Sequence, residues 1–454
     1  MQTTTTIPTA ETAETGVRIE QPLPIGRVLR LSSFHIGSAM GDILLGSVWN
    51  RVMIANLGLP AWPVGLLLAL RYLLSPLSLW AGHRSDRRPL FGLRRTPYIW
   101  AGRGLMLVSL PLLGVSLARL SQARADALGW LLAVVAFLLF GSGTLISGSP
   151  FLALVRDSVP PARQGIALSL VETALITFFP LAAVGFGYWL ETYSLARFWG
   201  LVVATVVLGG FFWLFAIAGA ERRAAEAPAA AAPAGFRATF GRILADGRTR
   251  RFLIFLVVGM LGAWAQESIL EPAGMELFGL DVGQTTRFAA YWQGPTVIAL
   301  VASLYLRRRS RPEQQVQLSK IGLGGMAAGM GLLALAAGAA ELRLLWAGLV
   351  VFGAGFGLYT FGAFSLLVTM STDREAGAYL ALWSVVILLS RGLGIALGGA
   401  LRDLFLALSG AFGSSYAAVF GLEAAGLLAA AALLSRADIR SFAHEHGRLA
   451  GGRD

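Results

Sequence analysis

Six ionisable side chains, Asp42, Arg51, Arg71, Glu172, Arg391 and Glu423, stand inside otherwise apolar stretches of the chain. A charge in such a place costs several kcal/mol unless it is paired, so each is a candidate for work beyond packing. Three are acidic and three basic, which leaves full internal pairing open. The chemistry within reach is holding a polar ligand, relaying a proton or bracing helices. Glu172 is read as a proton carrier or as the ion-pair partner of Arg51 or Arg71, within a buried network of Asn50, Arg51, Arg71, Glu172 and Arg391. Glu423 is read as a protein contact or as a protonated carboxyl facing lipid.

Bond-making chemistry is poorly provided for. There is no cysteine, which removes thiol nucleophiles, disulfides and thiolate metal sites. The four histidines, His35, His83, His444 and His446, do not form a metal-binding group. A membrane prenyltransferase would hold a diphosphate through magnesium on clustered carboxylates, because that ion takes hard oxygen ligands. The aspartates here never cluster: the nearest neighbours in sequence are Asp438 and Asp454. The chain is therefore expected not to be an enzyme and to hold no metal.

The elements that must position these residues follow from composition. Of 454 residues, 56% are hydrophobic and 14% charged, and the mean hydropathy is +0.67. A soluble domain is usually about 25% charged, so the chain is read as a multi-pass membrane protein. A crossing helix needs about 20 apolar residues. Twelve stretches qualify, at 32–56, 61–82, 98–118, 128–150, 164–189, 197–219, 251–270, 286–306, 318–340, 344–369, 376–400 and 412–434. They must be helices, because backbone groups cannot stay unpaired in lipid. Arginine and lysine crowd the tails, the loop after helix 2 and the segment between helices 6 and 7. The opposite side carries only Arg119, Arg124, Arg197, Arg287, Arg343 and Arg402. That bias puts both termini in the cytoplasm. The net charge of +12 is thus topogenic, and nucleic acid is not expected as a partner.

The longest internal polar stretch, 220–250, contains the low-complexity run 224–235 and reads as a linker. It divides a cytoplasmic tail (1–31) and a six-helix half (32–219) from a second six-helix half (251–434) and a cytoplasmic tail (435–454). The halves echo each other: Asp157 and Arg163 lie between helices 4 and 5, and Asp373 and Arg374 between helices 10 and 11. Such parallel repeats are the architecture of the major facilitator superfamily. The loop Gly82-His83-Arg84-Ser85-Asp86-Arg87-Arg88, continuing to Arg94-Arg95, resembles that superfamily's helix 2–3 signature. Asp86, Arg87, Arg94, Arg95, Asp157, Arg163, Asp373 and Arg374 are accordingly expected to form a gate, with Asp86 latching one half to a helix N-terminus of the other.

Three segments are more specific. They are Leu44 to Ala61, the run Ser85-Asp86-Arg87-Arg88-Pro89-Leu90-Phe91-Gly92-Leu93-Arg94-Arg95-Thr96-Pro97-Tyr98-Ile99, and Gln266-Glu267-Ser268-Ile269-Leu270-Glu271-Pro272-Ala273-Gly274 through Phe278. Together they resemble the PucC/LhaA (bacteriochlorophyll delivery) family of the major facilitator superfamily. The resemblance implies an all-α twelve-helix fold in a bacterial cytoplasmic or intracytoplasmic photosynthetic membrane. It also implies (bacterio)chlorophyll as a transient ligand and light-harvesting antenna polypeptides as partners. A proton-coupled small-solute transporter remains the alternative.

On that reading the ligand candidates are His35, Asp42, Trp49, Gln266, Glu267, Glu271, Pro272, Gly274 and Phe278. A helix turns about 100° per residue, so His35, Asp42 and Trp49, seven apart, make one stripe. The stripe is expected to line a central cavity, with His35 as axial ligand to the pigment magnesium and Trp49 as a stacking surface. Glu267 and Glu271, four apart, share a face. Pro272 is expected to stop that helix and Gly274 to turn the chain.

Overall fold

The computed structural model describes residues 23–160, 163–221, 247–306, 312–370 and 376–435. The expected tail and gate residues outside these, including Asp373 and Arg374, and most of the linker lie beyond the described segments.

Apolar runs of this length leave the backbone no partner but itself, and the described chain is helical throughout apart from its turns. In the first half come α1 (Ile25–Ser32) and α2 (Phe34–Ile43), the latter extended by π turns at Leu44–Trp49 and Val52–Asn56. Then follow α3 (Ala61–Leu73), α4 (Pro76–Arg87), α5 (Thr96–Gln122), α6 (Ala127–Asp157) and α7 (Gln164–Trp189). The half ends with α8 (Leu195–Ala204) and α9 (Gly210–Ile217), joined by a π turn. In the second half α10 (Gly247–Trp264) passes through a 3-10 turn (Ala265–Ser268) into α11 (Leu270–Phe278). Next are α12 (Val282–Thr286), α13 (Phe288–Leu306), α14 (Pro312–Ala339), α15 (Leu342–Met370), α16 (Ala376–Ser409) and α17 (Phe412–Ser435).

Among the described residues nine helices are long and apolar enough to cross a membrane, and α10 with α11, bent by 47°, makes a tenth. The first and eighth expected spans are helical without reaching that combination of length and apolarity. The first is divided by π turns and carries Asp42, Asn50, Arg51 and Asn56. The eighth, α13, carries Gln293, Gly294 and Pro295. Two expected boundaries shift: α10 begins inside the stretch read as linker, and α1 turns the end of the tail into a helix.

The halves meet where α3 packs on α16 and α7 on α13. Small residues let the backbones touch. A Cβ on Gly399 would stand 2.5 Å from the Ala61 carbonyl oxygen, and one on Gly283 2.2 Å from that of Gly187. Within the second half a Cβ on Gly398 would stand 2.0 Å from the Ala265 oxygen, so α16 lies directly on the break between α10 and α11.

Candidate functional site

The break in the seventh span builds the site. Pro272 has no N–H, so the carbonyl of Ser268, four residues earlier, loses its helical donor. The chain answers with a 3-10 turn before Leu270 and restarts as α11, with Pro272 in the first turn, where a missing N–H costs nothing. The expected stop at Pro272 therefore moves to Ala265–Ser268. Gly274 does not turn the chain either: it lies inside α11, where a Cβ would meet Thr285 and Phe288 at 2.7 and 2.8 Å. The helix ends instead at Gly279, at φ 64°. Phe278 packs at the edge of the core.

Helix 1 supplies what the break lacks. Asn50, fully buried, donates from Nδ2 to the Ser268 oxygen at 3.1 Å. Next to it, Arg51 donates to the Leu280 oxygen at 2.9 Å and to the Asn56 side chain. Ser268 in turn donates to the Ile395 oxygen at 2.9 Å. Asn50 and Arg51 thus tie the first half to the broken span.

Inside the break lies a chain of charges. Arg391 grips Glu267 with Nε at 3.0 Å and Nη2 at 2.9 Å, and its guanidinium lies 3.5 Å over the Trp264 ring. Arg71 pairs with Asp42, reaches Glu267 at 3.4 Å and donates to the Tyr72 hydroxyl. Asp42 and Arg71 come from the first half and Glu267 and Arg391 from the second, so the network crosses between the halves. Glu271 stands in the wall beyond Glu267, with Ser47 as its hydrogen-bonding neighbour and Oε2 unpartnered. These groups line a half-open cavity of about 200 Å³, together with Phe179, Trp292 and Phe356.

Several expected positions fall elsewhere. The π turns after Ile43 advance the chain less per residue than an α-helix, so the stripe from Asp42 does not continue to Trp49. Trp49 is fully buried against Phe137, with ring centroids 4.9 Å apart. His35 is sealed in the first half, edge-on to Phe34 and Phe151 at 5.6 and 5.3 Å. Neither lines the cavity, and His35 does not fit an axial-ligand role in this packing. Glu172 has no ion-pair partner among the described residues: Arg51 and Arg71 are committed elsewhere. Glu423 is 4% exposed and its backbone packs on Gly262 of the seventh span, so the residue does not lie open to lipid.

The expected latch also stays within one half. Arg95, at the start of α5, reaches Asp86 at 2.5 Å, Asp157 at 3.5 Å and Ser85 at 2.9 Å. Glu221 accepts the backbone N–H groups of Arg94, Arg95 and Thr96 at 2.7 to 3.1 Å, capping the same helix. Burial pushes its carboxyl up, but these donors outweigh that and hold it below the ordinary glutamate range. Arg87 is exposed, and Arg163 sits ahead of α7.

Other residues escaped sequence reasoning. Arg103, inside the third span, is 3% exposed, between the Phe34 and Trp213 rings at 4.1 and 4.7 Å. Arg402, counted as an outer charge, is buried against Glu276 at 2.5 Å, Tyr416 and Asp403. Tyr72 and Trp264 join the network as aromatic faces for arginine. The usable signal was an arginine within a few positions of aromatic residues inside an apolar run.

Comparison with known proteins sets this geometry in context. The family model described as PUCC protein matches residues 48–442. Protein PucC of Rhodovulum sulfidophilum is 33% identical over 400 residues, 84% of this chain and 86% of that protein. The bacteriochlorophyll synthase 44.5 kDa chain of Rhodobacter capsulatus is 29% identical over 413 residues, 89% of this chain and 94% of that protein. Among solved structures, a D-xylose-proton symporter superposes with a TM-score of 0.66 at 14% identity, covering 90% of this chain and 97% of its own. At that identity the likeness concerns the fold alone.

Proposed function

The chain belongs to the PucC family and has the major facilitator superfamily fold, and from that premise we propose that it is a non-enzymatic carrier of (bacterio)chlorophyll serving the assembly of light-harvesting antenna polypeptides. The observation that carries this reading is the family match along nearly the whole chain. The name of the Rhodobacter capsulatus relative supports the pigment link. In our reading the protein sits in a bacterial photosynthetic membrane with both termini cytoplasmic, and it hands pigment over rather than forming bonds.

The route is lateral. A cavity of about 200 Å³ falls below drug-sized sites of roughly 300–1,000 Å³, so a tetrapyrrole is not carried there. Along α14 lies a shallow, open depression lined by Gly331, Leu335, Gly338 and Ala417. Its lining side chains are apolar, which suits a flat apolar ring system held by packing. The cavity charges then set how the two halves stand, and the outer faces meet pigment and antenna helix.

Deleting the gene in a photosynthetic host tests this. Antenna absorption should fall while free pigment is still made. Normal antenna assembly in the deletion strain would refute it. The shared fold and the polar cavity favour a second reading, a proton-coupled transporter of small solutes. That reading requires solute uptake that collapses with the proton gradient.

A further inference from the structure

We propose that Glu271 is a cation-binding position of the central cavity, taking one positive charge as a proton on its carboxyl or as the ammonium group of a small amine. The inference stands on the cavity alone and does not rest on the pigment reading.

Of the charged groups that line the cavity two are basic and three acidic, and the next cation, Arg103, lies behind Asp42 between the Phe34 and Trp213 rings and does not line it. Arg71 and Arg391 face Asp42, Glu267 and Glu271. Arg391 is spent on Glu267, and Arg71 on Asp42 and Glu267. Glu271 has no basic partner. It is 6% exposed, lines the cavity and keeps Oε2 without a hydrogen-bond partner. The elements packed against it offer no other cation. On helix 1, Arg51 is held by Leu280 and Asn56. On α17, Glu423 is a second buried carboxyl and Tyr416 is bound to Glu276. On α16, Arg402 is bound to Glu276 and Asp403, and near α12 Asp281 adds a further acid. An ionised carboxylate left alone there would carry the full desolvation cost.

The rest of the lining suits a positive charge. Gln293, Thr296 and Thr360 carry side-chain oxygens, and Trp292 and Phe356 are aromatic. About 200 Å³ admits a small amine and is too small for a tetrapyrrole. When an ammonium group enters, the carboxyl releases its proton to water and the cavity charge is unchanged.

The test is infrared spectroscopy of the full chain in detergent, comparing E172Q/E423Q with E172Q/E271Q/E423Q. The E172Q/E423Q background removes the signals of the two other span carboxyls that have no basic partner. The carbonyl stretch of a protonated acid should be present in the first and absent from the second. Loss of that band on raising pH identifies the proton, and its loss on adding methylammonium at fixed pH identifies the amine. Sodium chloride at equal concentration controls for ionic strength. Carbodiimide labelling of the unmodified chain, located by mass spectrometry, reads the same carboxyl without any substitution. Either the band or a label on Glu271 supports the site. Absence of both overturns it.

Discussion

Arg391 stacks on Trp264 at 3.5 Å and holds Glu267 through two nitrogens, while Arg71 approaches the same carboxylate from the other half. Removing one partner of such a buried pair leaves a lone charge, which costs about 3–5 kcal/mol. Arg391 keeps 25% of its side chain exposed, so R391Q should lie toward the lower end, read as a lower melting temperature in detergent. R391Q/E267Q should recover much of that loss. If the double variant is as unstable as the sum of the two single ones, the pairing is not what the residues contribute. Outside the membrane, Glu221 makes a claim about pH. Its folded carboxyl is held below the ordinary value, so its cap contributes fully above about pH 4.3 and is lost as pH falls through the folded value. E221A should cost roughly 1–2 kcal/mol at neutral pH. The gap to the unmodified chain should close in acid, and a gap that persists there would contradict the capping role. The charged residues themselves were legible in sequence as isolated polar letters in apolar runs. Their partners were not, because Asp42–Arg71 and Glu267–Arg391 join residues 29 and 124 positions apart.

At the scale of elements, the break between α10 and α11 joins one proline to one asparagine. Pro272 leaves the Ser268 carbonyl without a donor and Asn50 fills it. N50A should cost about 1–3 kcal/mol, the penalty of an unsatisfied buried group. P272A returns an N–H at the right spacing, so N50A should cost less in that background. Equal cost in both backgrounds, measured by thermal unfolding, would show that Asn50 acts in some other way. The same break reshapes part of the site. A straight helix puts Glu267 and Glu271 on one face. With a 3-10 turn and a 47° bend both still line the cavity, but Glu267 meets Arg391 and Glu271 lies by Ser47. Likewise, counting sevens along helix 1 failed for Trp49, because π turns shift the register after Ile43. The helical class and most spans followed from hydropathy. The breaks did not, because they depend on which neighbour satisfies a freed carbonyl.

At the scale of the molecule, the ties between the halves gather from the network toward the end bearing the loops 1–2, 7–8 and 11–12. Asp403 accepts the Trp62 N–H at 2.8 Å, Arg51 holds the Leu280 carbonyl and Arg287 lies over the Tyr188 ring at 5.1 Å. At the other end Arg95 binds Asp86 and Asp157 of its own half. The expected latch between halves is thus a brace within one. With no cysteine in the chain, spin labels can be placed at will. Labels at S121C and S409C, both exposed, should give a longer or broader distance in D403A than in the labelled parent. An unchanged distribution would show that this end is not held by Asp403. The pigment itself decides the function most directly. The protein should be purified in mild detergent from a pigment-making photosynthetic host, and its absorption spectrum and co-purifying polypeptides recorded. The account predicts a bacteriochlorophyll band together with antenna polypeptides. A colourless preparation without them, from cells assembling antenna normally, would contradict it.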